Sequence, residues 1–345
     1  MKVGVMIYGD LEQTTGGYLY DRMLVRELRR RGHVVNVLSL RRGPCLDADD
    51  EAEVRSWMQE HDVLVQDELC HPLLLRPNLL RKRPAVALVH NLSGCIGQPG
   101  GSLERAYLES VDALICTSQA TLDACRSLSP RPGPAAVAHP GRDHVAPGPR
   151  QPGGGGLRIL HVGNIHPVKG LDVLLEALSG LADVPFRLEV AGAVADERFR
   201  RSLDDLMDAT LRERVRFLGP VPAERTGELY RTTDVLAVPS RYEGFGIALL
   251  EAMGFGIPVI AGREGGAGEL VTHGRDGFLV PPEDPRSVAR HLRALTDGAL
   301  LEAMGQAARR RWEAHPTWEE SLVAAIDLIE GASRLMRHVG IIPRR

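Results

Sequence analysis

Pro239-Ser240-Arg241-Tyr242-Glu243-Gly244-Phe245-Gly246-Ile247-Ala248-Leu249-Leu250-Glu251-Ala252-Met253 begins where an apolar run ends and passes into a helix-forming stretch. The run that leads into it, Val235–Pro239, has the length and continuity of a buried strand. Glycines separate the two elements, so Gly244, Phe245 and Gly246 fall at a helix N-terminus. Backbone N–H groups without intrahelical partners, and the positive end of the helix dipole, can receive a phosphate or a sugar hydroxyl there. Glu243 and Glu251 are separated by seven residues. With Glu243 ahead of the helix and Glu251 in its second turn, leaning back toward the N-terminus, both carboxylates would face one site. A capping carboxylate with an ordinary surface Glu is the plainer alternative.

The same strand-then-helix unit recurs along the chain. After residue 156 the strands are expected at Leu157–Val162, Arg187–Ala191, Val215–Leu218, Val235–Pro239, Val259–Ala261 and Phe278–Val280, with a helix over Leu171–Leu181. Before residue 146 they are expected at Val3–Ile7, His33–Leu40, Val63–Val65, Ala85–Val89 and Ala113–Cys116. Short apolar strands alternating with helices imply parallel sheets covered on both faces. Between the two series lies Ala-Pro-Gly-Pro-Arg-Gln-Pro-Gly-Gly-Gly-Gly, residues 146–156, whose composition is that of a linker. The expected organisation is α/β, with two doubly wound Rossmann-like domains at 1–145 and 157–315 and a ligand crevice between facing strand ends. Residues 316–345 form a C-terminal helix with Leu322, Ala325, Ile326 and Ile329 on one face.

Composition narrows the function. The 345 residues carry 43% hydrophobic and 25% charged side chains and a formal charge of −3, the profile of a globular protein with real cores. Basic and acidic side chains balance in residues 1–150, at 18 each, and nearly so in the remainder, at 24 against 27. No segment has the positive excess of a nucleic-acid groove, so nucleic acid is not an expected partner. No apolar run approaches the ~18 residues of a membrane span, and the chain enters its first strand at once, which points to the cytoplasm. Five cysteines without CxxC spacing read as free, mostly buried thiols. Arg outnumbers Lys 39 to 3, which singles out Lys169, in a loop after a strand.

The segment around Glu243 and Glu251 resembles the E-x7-E signature of retaining glycosyltransferases of the GT-B fold, specifically family 4. Residues 161–170, His-Val-Gly-Asn-Ile-His-Pro-Val-Lys-Gly, are similar to that family's "VGR-x-x-P-x-KG". Residues 256–269, Gly-Ile-Pro-Val-Ile-Ala-Gly-Arg-Glu-Gly-Gly-Ala-Gly-Glu, are similar to its "G-x-PVIA…GG-x-x-E", and Val280–Pro285 to the "VPPgDp" that follows. In the first half, Gly16-Gly17 before a helix ending in Arg-Gly-His-Val-Val, then Val89-His90 and Thr117-Ser118, also have counterparts there.

The resemblance implies transfer of a sugar from a nucleotide-sugar donor, UDP-sugar before GDP-mannose, with retention at the anomeric carbon. Lys169 would hold the donor diphosphate, with Gly163 and Asn164 beside it. Glu251 would bind the ribose hydroxyls. Glu243 and the amides of Gly244, Phe245 and Gly246 would grip the sugar, and His90 would face it. Gly16 and Gly17 would let the first loop approach the diphosphate or acceptor, and Arg225 falls where some relatives contact the base. The first domain would choose the acceptor, a small molecule or a lipid-linked compound, and the C-terminal helix would return to that domain. No metal or other cofactor is expected: Asp47-Ala48-Asp49 reads as a solvated turn, and His139 and His144 lack ligand spacing. The Arg29–Arg31 and Arg81-Lys82-Arg83 clusters leave peripheral contact with an anionic membrane open.

Two departures stand out. Asn164 occupies the place of the family's Arg, so Arg241 or Arg263 would have to assist Lys169, and Gly268 replaces a common Pro. The competing readings are a nucleotide-sugar epimerase, a phosphorylase, a non-catalytic sugar-nucleotide binder and an NAD-dependent dehydrogenase. The last would need GxGxxG after the first strand and an acid ending the second; this chain has neither.

Overall fold

The computed structural model describes residues 1–43, 45–96, 101–130, 133–151 and 153–338. The chain divides into two compact units, one of residues 1–141 with 317–345, the other of residues 142–316.

The first unit runs β1 (Lys2–Tyr8), α1 (Gly16–Arg30), β2 (Val34–Leu40), α2 (Ala48–Gln59), β3 (Val63–Asp67) and α3 (His71–Leu80). It continues through β4 (Ala85–Val89), α4 (Gly101–Ser110), β5 (Ala113–Cys116), α5 (Gln119–Leu128) and β6 (Ala135–Val137). The second unit contains β7 (Leu157–Val162), α6 (Leu171–Ser179), β8 (Phe186–Ala191), α7 (Glu197–Asp205), α8 (Ala209–Arg214) and β9 (Val215–Gly219). It goes on with α9 (Ala223–Arg231), β10 (Val235–Val238), α10 (Ile247–Gly254), β11 (Val259–Gly262) and α11 (Ala267–Leu270), ending in β12 (Gly277–Val280), α12 (Pro285–Ala294) and α13 (Gly298–Glu313). The chain then re-enters the first unit with α14 (Trp318–Ser321) and α15 (Val323–His338).

Each unit holds one six-stranded sheet, in the orders β2-β1-β3-β4-β5-β6 and β12-β11-β10-β7-β8-β9. All named strand pairs are parallel. Every residue of β3, β4, β5, β10 and β11 is buried, as parallel strands covered on both faces require. The strand order reverses between β1 and β3 in one sheet and between β7 and β10 in the other. Loops leaving the carboxyl ends of strands at such a reversal part in opposite directions and leave a crevice for a ligand. That rule places the loops after β1, β3, β7 and β10 at the functional edges.

The expected strands are present with ends displaced by a residue or two. Four sequence readings need correction. β6 was not expected; it is three half-buried residues on the sheet's edge, too short for a periodic signal. Asp47 is no free turn: its side chain accepts from the Asp50 N–H at 2.8 Å and caps α2. In the expected linker 146–156, of which Pro152 lies outside the described residues, Arg150 and Gln151 are attached. The N–H of Gln151 donates to the Arg231 carbonyl at 2.8 Å, and Arg150 and Arg158 both pair with Asp234. Backbone that Pro and Gly leave without helix or strand thus finds partners on the second unit. The C-terminal helix divides at Leu322 into α14 and α15.

The helical return completes the first core. Trp318, Leu322, Ala325, Ile326 and Ile329 pack with Val3, Val5, Tyr20 and Val63, and Leu322, Ala325, Ile326 and Ile329 are fully buried. Burying each Leu or Ile side chain stabilises the unit by about 1.5–3 kcal/mol. Thr317 opens this return with a capping box to Glu320.

Candidate functional site

The loop after β7 turns through Pro167–Lys169 into Gly170, whose φ of +65° an L side chain rarely adopts. A Cβ at Gly170 would sit 2.1 Å from the Pro239 carbonyl oxygen, so the loops after β7 and β10 pack backbone against backbone. The Arg241 N–H donates to the Val168 carbonyl at 2.8 Å and ties the two together. Across this junction the Lys169 ammonium donates to Glu243 Oε2 at 2.7 Å, and Ser240 Oγ donates to the same oxygen at 3.1 Å. The Lys169 methylenes lie over Gly163, within 3.4–3.5 Å of the position a Cβ would take. Asn164 is half-buried beside them.

The peptide of Glu243 is pinned by the loop after β11. Its N–H donates to the Glu264 carbonyl at 3.1 Å, and its carbonyl accepts from Gly266 at 2.7 Å. Gly265, at φ +91°, lets this happen: a Cβ there would lie 2.1 Å from the Glu243 oxygen. The sequence segments 161–170, 239–253 and 256–269 are therefore stitched into one edge of the second sheet. Gly244, Phe245 and Gly246 lead into α10, whose N-terminus has no side-chain cap. The Phe245 ring is buried and faces the His315 ring at 5.6 Å, so its side chain packs in the core.

Glu251 lies in the second turn of α10, as expected, but with partners of its own. Its Oε2 accepts from the Tyr230 hydroxyl at 2.7 Å, and its Oε1 pairs with His144 Nε2 at 2.9 Å. Burial and the Glu251 charge push the Tyr230 phenol up, so it remains a donor. Lys169 and Ser240 hold the Glu243 carboxylate, whereas His144 and Tyr230 hold that of Glu251.

The substitutes considered for the absent Arg are otherwise engaged. Arg241 holds Asp172 bidentately at 3.0 and 2.7 Å and Glu283 at 3.1 Å, and Arg263 pairs with Glu264 at the surface. Arg225 is exposed in the first turn of α9. His161, fully buried beneath the loop, donates from Nδ1 to the Ala237 carbonyl at 2.9 Å. Desolvation, with a contribution from the nearby Lys169 charge, lowers its pKa to about 4. A groove lined by Arg150, Arg158, Asp234, Gly305 and Arg309 opens at the amino-terminal end of β7 and β10, the edge away from Lys169.

In the first unit Gly16 and Gly17 open α1, and a Cβ on Gly17 would meet His90 Cδ2 at 3.4 Å. His90 follows β4, and its Nε2 pairs with Asp21 Oδ1 at 3.1 Å. Asp21 and Asp67 are almost fully buried, at 1% and 3% exposure. Burial, then the Asp21 charge, pushes the Asp67 carboxyl up to about 7. Burial alone would lower the His90 pKa, but the charge and hydrogen bond of Asp21 outweigh it and the net shift is upward.

Among the described residues two groups bring three ligand-type atoms within 4.8 Å of one another: Asp21, Asp67 and His90, and Glu68, His71 and Glu104. Burial first, then Glu104, holds the Glu68 carboxyl well above its ordinary range, so the second group retains a proton. None of the five cysteines is in a disulfide, and Cys70, Cys116 and Cys125 are buried.

Residues 150–311 match the family described as "Glycosyl transferases group 1". A D-inositol 3-phosphate glycosyltransferase of Geodermatophilus obscurus is 39% identical over 179 residues, 48% of this chain and 39% of that protein. One of Streptomyces avermitilis is 32% identical over 258 residues, 68% of this chain and 55% of that protein. The chain thus spans about half the length of these curated relatives or less. Among solved structures, sucrose-phosphate synthase of Thermosynechococcus elongatus superposes with a TM-score of 0.81 at 21% identity, covering 97% and 99% of the two chains. HepE of Anabaena, in complex with UDP and glucose, gives 0.80 at 19% identity, covering 96% and 100%. At these identities the likeness establishes the fold. No helix among the described residues is long and apolar enough to cross a membrane.

Proposed function

We propose that this chain, a GT-B fold carrying a group 1 glycosyl transferase domain, moves a sugar from a nucleotide-diphosphate donor to a hydroxyl acceptor, with retention and without a metal. The observation that carries the reading is the Lys169–Glu243 pair at the β7/β10 reversal, beside the uncapped N-terminus of α10. A cation and a helix N-terminus at one strand edge suit a diphosphate, and an adjacent carboxylate suits sugar hydroxyls.

Transfer breaks the bond from the anomeric carbon to the diphosphate and forms one to the acceptor oxygen, whose hydroxyl proton leaves with the diphosphate. The Lys169 ammonium would stabilise the charge left on the departing diphosphate. Its present partner, Glu243, keeps it aimed until a phosphate competes for it. Ionised carboxylate oxygens each have two lone pairs, so Glu251 can hold Tyr230 and His144 and still accept from both ribose hydroxyls. UDP is the favoured nucleotide: the HepE structures contain UDP, UDP-glucose, or UDP with glucose. A cytoplasmic location fits the use of nucleotide sugars.

The test is to incubate the purified protein without metal with UDP-, GDP-, ADP- and dTDP-sugars and quantify free nucleotide beside Glu243→Ala. Slow hydrolysis of one donor, lost in the variant, supports the reading and identifies the donor. Binding of none of these donors would sink it, and tight binding without turnover, in the presence of candidate hydroxyl acceptors, would move the chain to a non-catalytic role.

A further inference from the structure

The imidazole of His90 is held on three sides by the first unit. Gly17 and Asp21 are one turn apart on α1 and share a face. The ring lies along that face, with Cδ2 3.4 Å from where a Gly17 Cβ would stand and Nε2 3.1 Å from Asp21 Oδ1. Tyr20 meets the ring edge-on at 5.4 Å and is itself backed by Trp318 at 5.3 Å. An ionised carboxylate only accepts, so the proton of this contact belongs to Nε2. Among the described residues Nδ1 has no partner, and the side chain retains 14% exposure.

We propose that Asp21 is a positioning residue that fixes a proton on His90 Nε2 and thereby makes Nδ1 the edge that the first unit presents to a sugar or phosphate oxygen. This deepens the glycosyltransferase reading and rests on it for the identity of the ligand. The groups that face His90 from neighbouring elements are Asp21 and Tyr20 on α1 and Asp67 at the end of β3, with the Arg42 charge acting on Asp67. The Asp21 carboxylate favours a second proton on the imidazole, and in that form Nδ1–H donates to a sugar or phosphate oxygen. His90 then works as an oriented donor, and no proton has to leave the acceptor through it.

Histidine-selective 15N labelling reads this without any donor present. Two-bond proton–nitrogen correlations, with His90 assigned by His90→Gln, should show protonated Nε2 and bare Nδ1 above the His90 pKa. In Asp21→Asn and Asp21→Ala that pKa should fall, and in Asp21→Ala the tautomer preference should be lost. Asp67→Asn should lower it less. With the donor found above, Asp21→Asn should lose about 10- to 100-fold in kcat with little change in KM, and Asp21→Glu should recover part of it. Unchanged His90 titration in both Asp21 variants would overturn the proposal. So would loss of the Nε2 proton on adding Mn2+ or Zn2+, which would make the cluster a metal site. The expected spectra in a protein that turns over no donor would leave the Asp21 assignment standing and remove the glycosyltransferase reading.

Discussion

His144 Nε2 and Glu251 Oε1 lie 2.9 Å apart although they are 107 positions apart in the chain. With Tyr230 on the other oxygen, the contact fixes the Glu251 carboxylate in one orientation before any ligand arrives. Removing one partner leaves the carboxylate free to rotate. His144→Ala should raise the donor KM, and the Kd for UDP by calorimetry, about tenfold, the scale of one lost hydrogen bond to a charged group, while kcat stays within about threefold. An equal loss in kcat would place His144 at the reacting centre instead.

Lys169 bridges two loops and reaches one oxygen of Glu243. Lys169→Met keeps the methylene packing over Gly163 and removes the charge. Donor turnover should fall about 10²- to 10³-fold, mainly in kcat, because the charge it meets grows as the diphosphate departs. Steady-state nucleotide release measures it, and a change confined to KM would contradict the role.

Gly265 has a backbone conformation and a clearance that a Cβ would violate. Gly265→Ala should destabilise the protein by about 1–3 kcal/mol, seen as a lower midpoint in guanidinium. It should also abolish turnover by moving the Glu243 peptide. Full activity with normal stability would show that the loop is not held as described.

Asp67 gives a pH signature. Its carboxyl keeps its proton to about pH 7 in the folded protein and releases it near its ordinary 3.8 when unfolded. Between those values the folded state binds more protons, so this group's contribution to stability declines as pH rises and is gone above about 7. Asp67→Asn should therefore gain on the wild type as pH is raised from 4 to 7.5, with no gain at pH 4. Chemical denaturation across that range reads it; a variant equally displaced at every pH would contradict the buried carboxyl.

Ile326 is fully buried where α15 packs against the first sheet. Ile326→Ala should cost about 2–5 kcal/mol in equilibrium unfolding, with a cavity left in the first unit. A cost under 1 kcal/mol would mean that the return helix adds little to that core.

Strand periodicity and the Gly- and Pro-rich loop motifs made most of the sheets legible, along with Glu243, Lys169 and the position of Glu251 within α10. The partners were not legible. Asp21 and His90 are 69 residues apart, as far beyond local spacing rules as His144 and Glu251. The signal available for His144 was only its type, since metal-ligand spacing carries no information about a carboxylate partner on a distant helix. The attachment of Arg150 and Gln151 was hidden for a different reason. Pro and Gly report what a backbone cannot form by itself, and nothing about the Asp234 and Arg231 groups waiting to receive it.

The return at Thr317 has a consequence for synthesis. The second unit is one uninterrupted stretch, residues 142–316, whereas the first needs Leu322, Ala325, Ile326 and Ile329 to fill its core. On the ribosome, where the N-terminal part of a chain ordinarily folds first, this order is inverted. The first sheet emerges early yet stays without its cover until residues 318–332 have cleared the exit tunnel, so the unit translated first is the last to be completed.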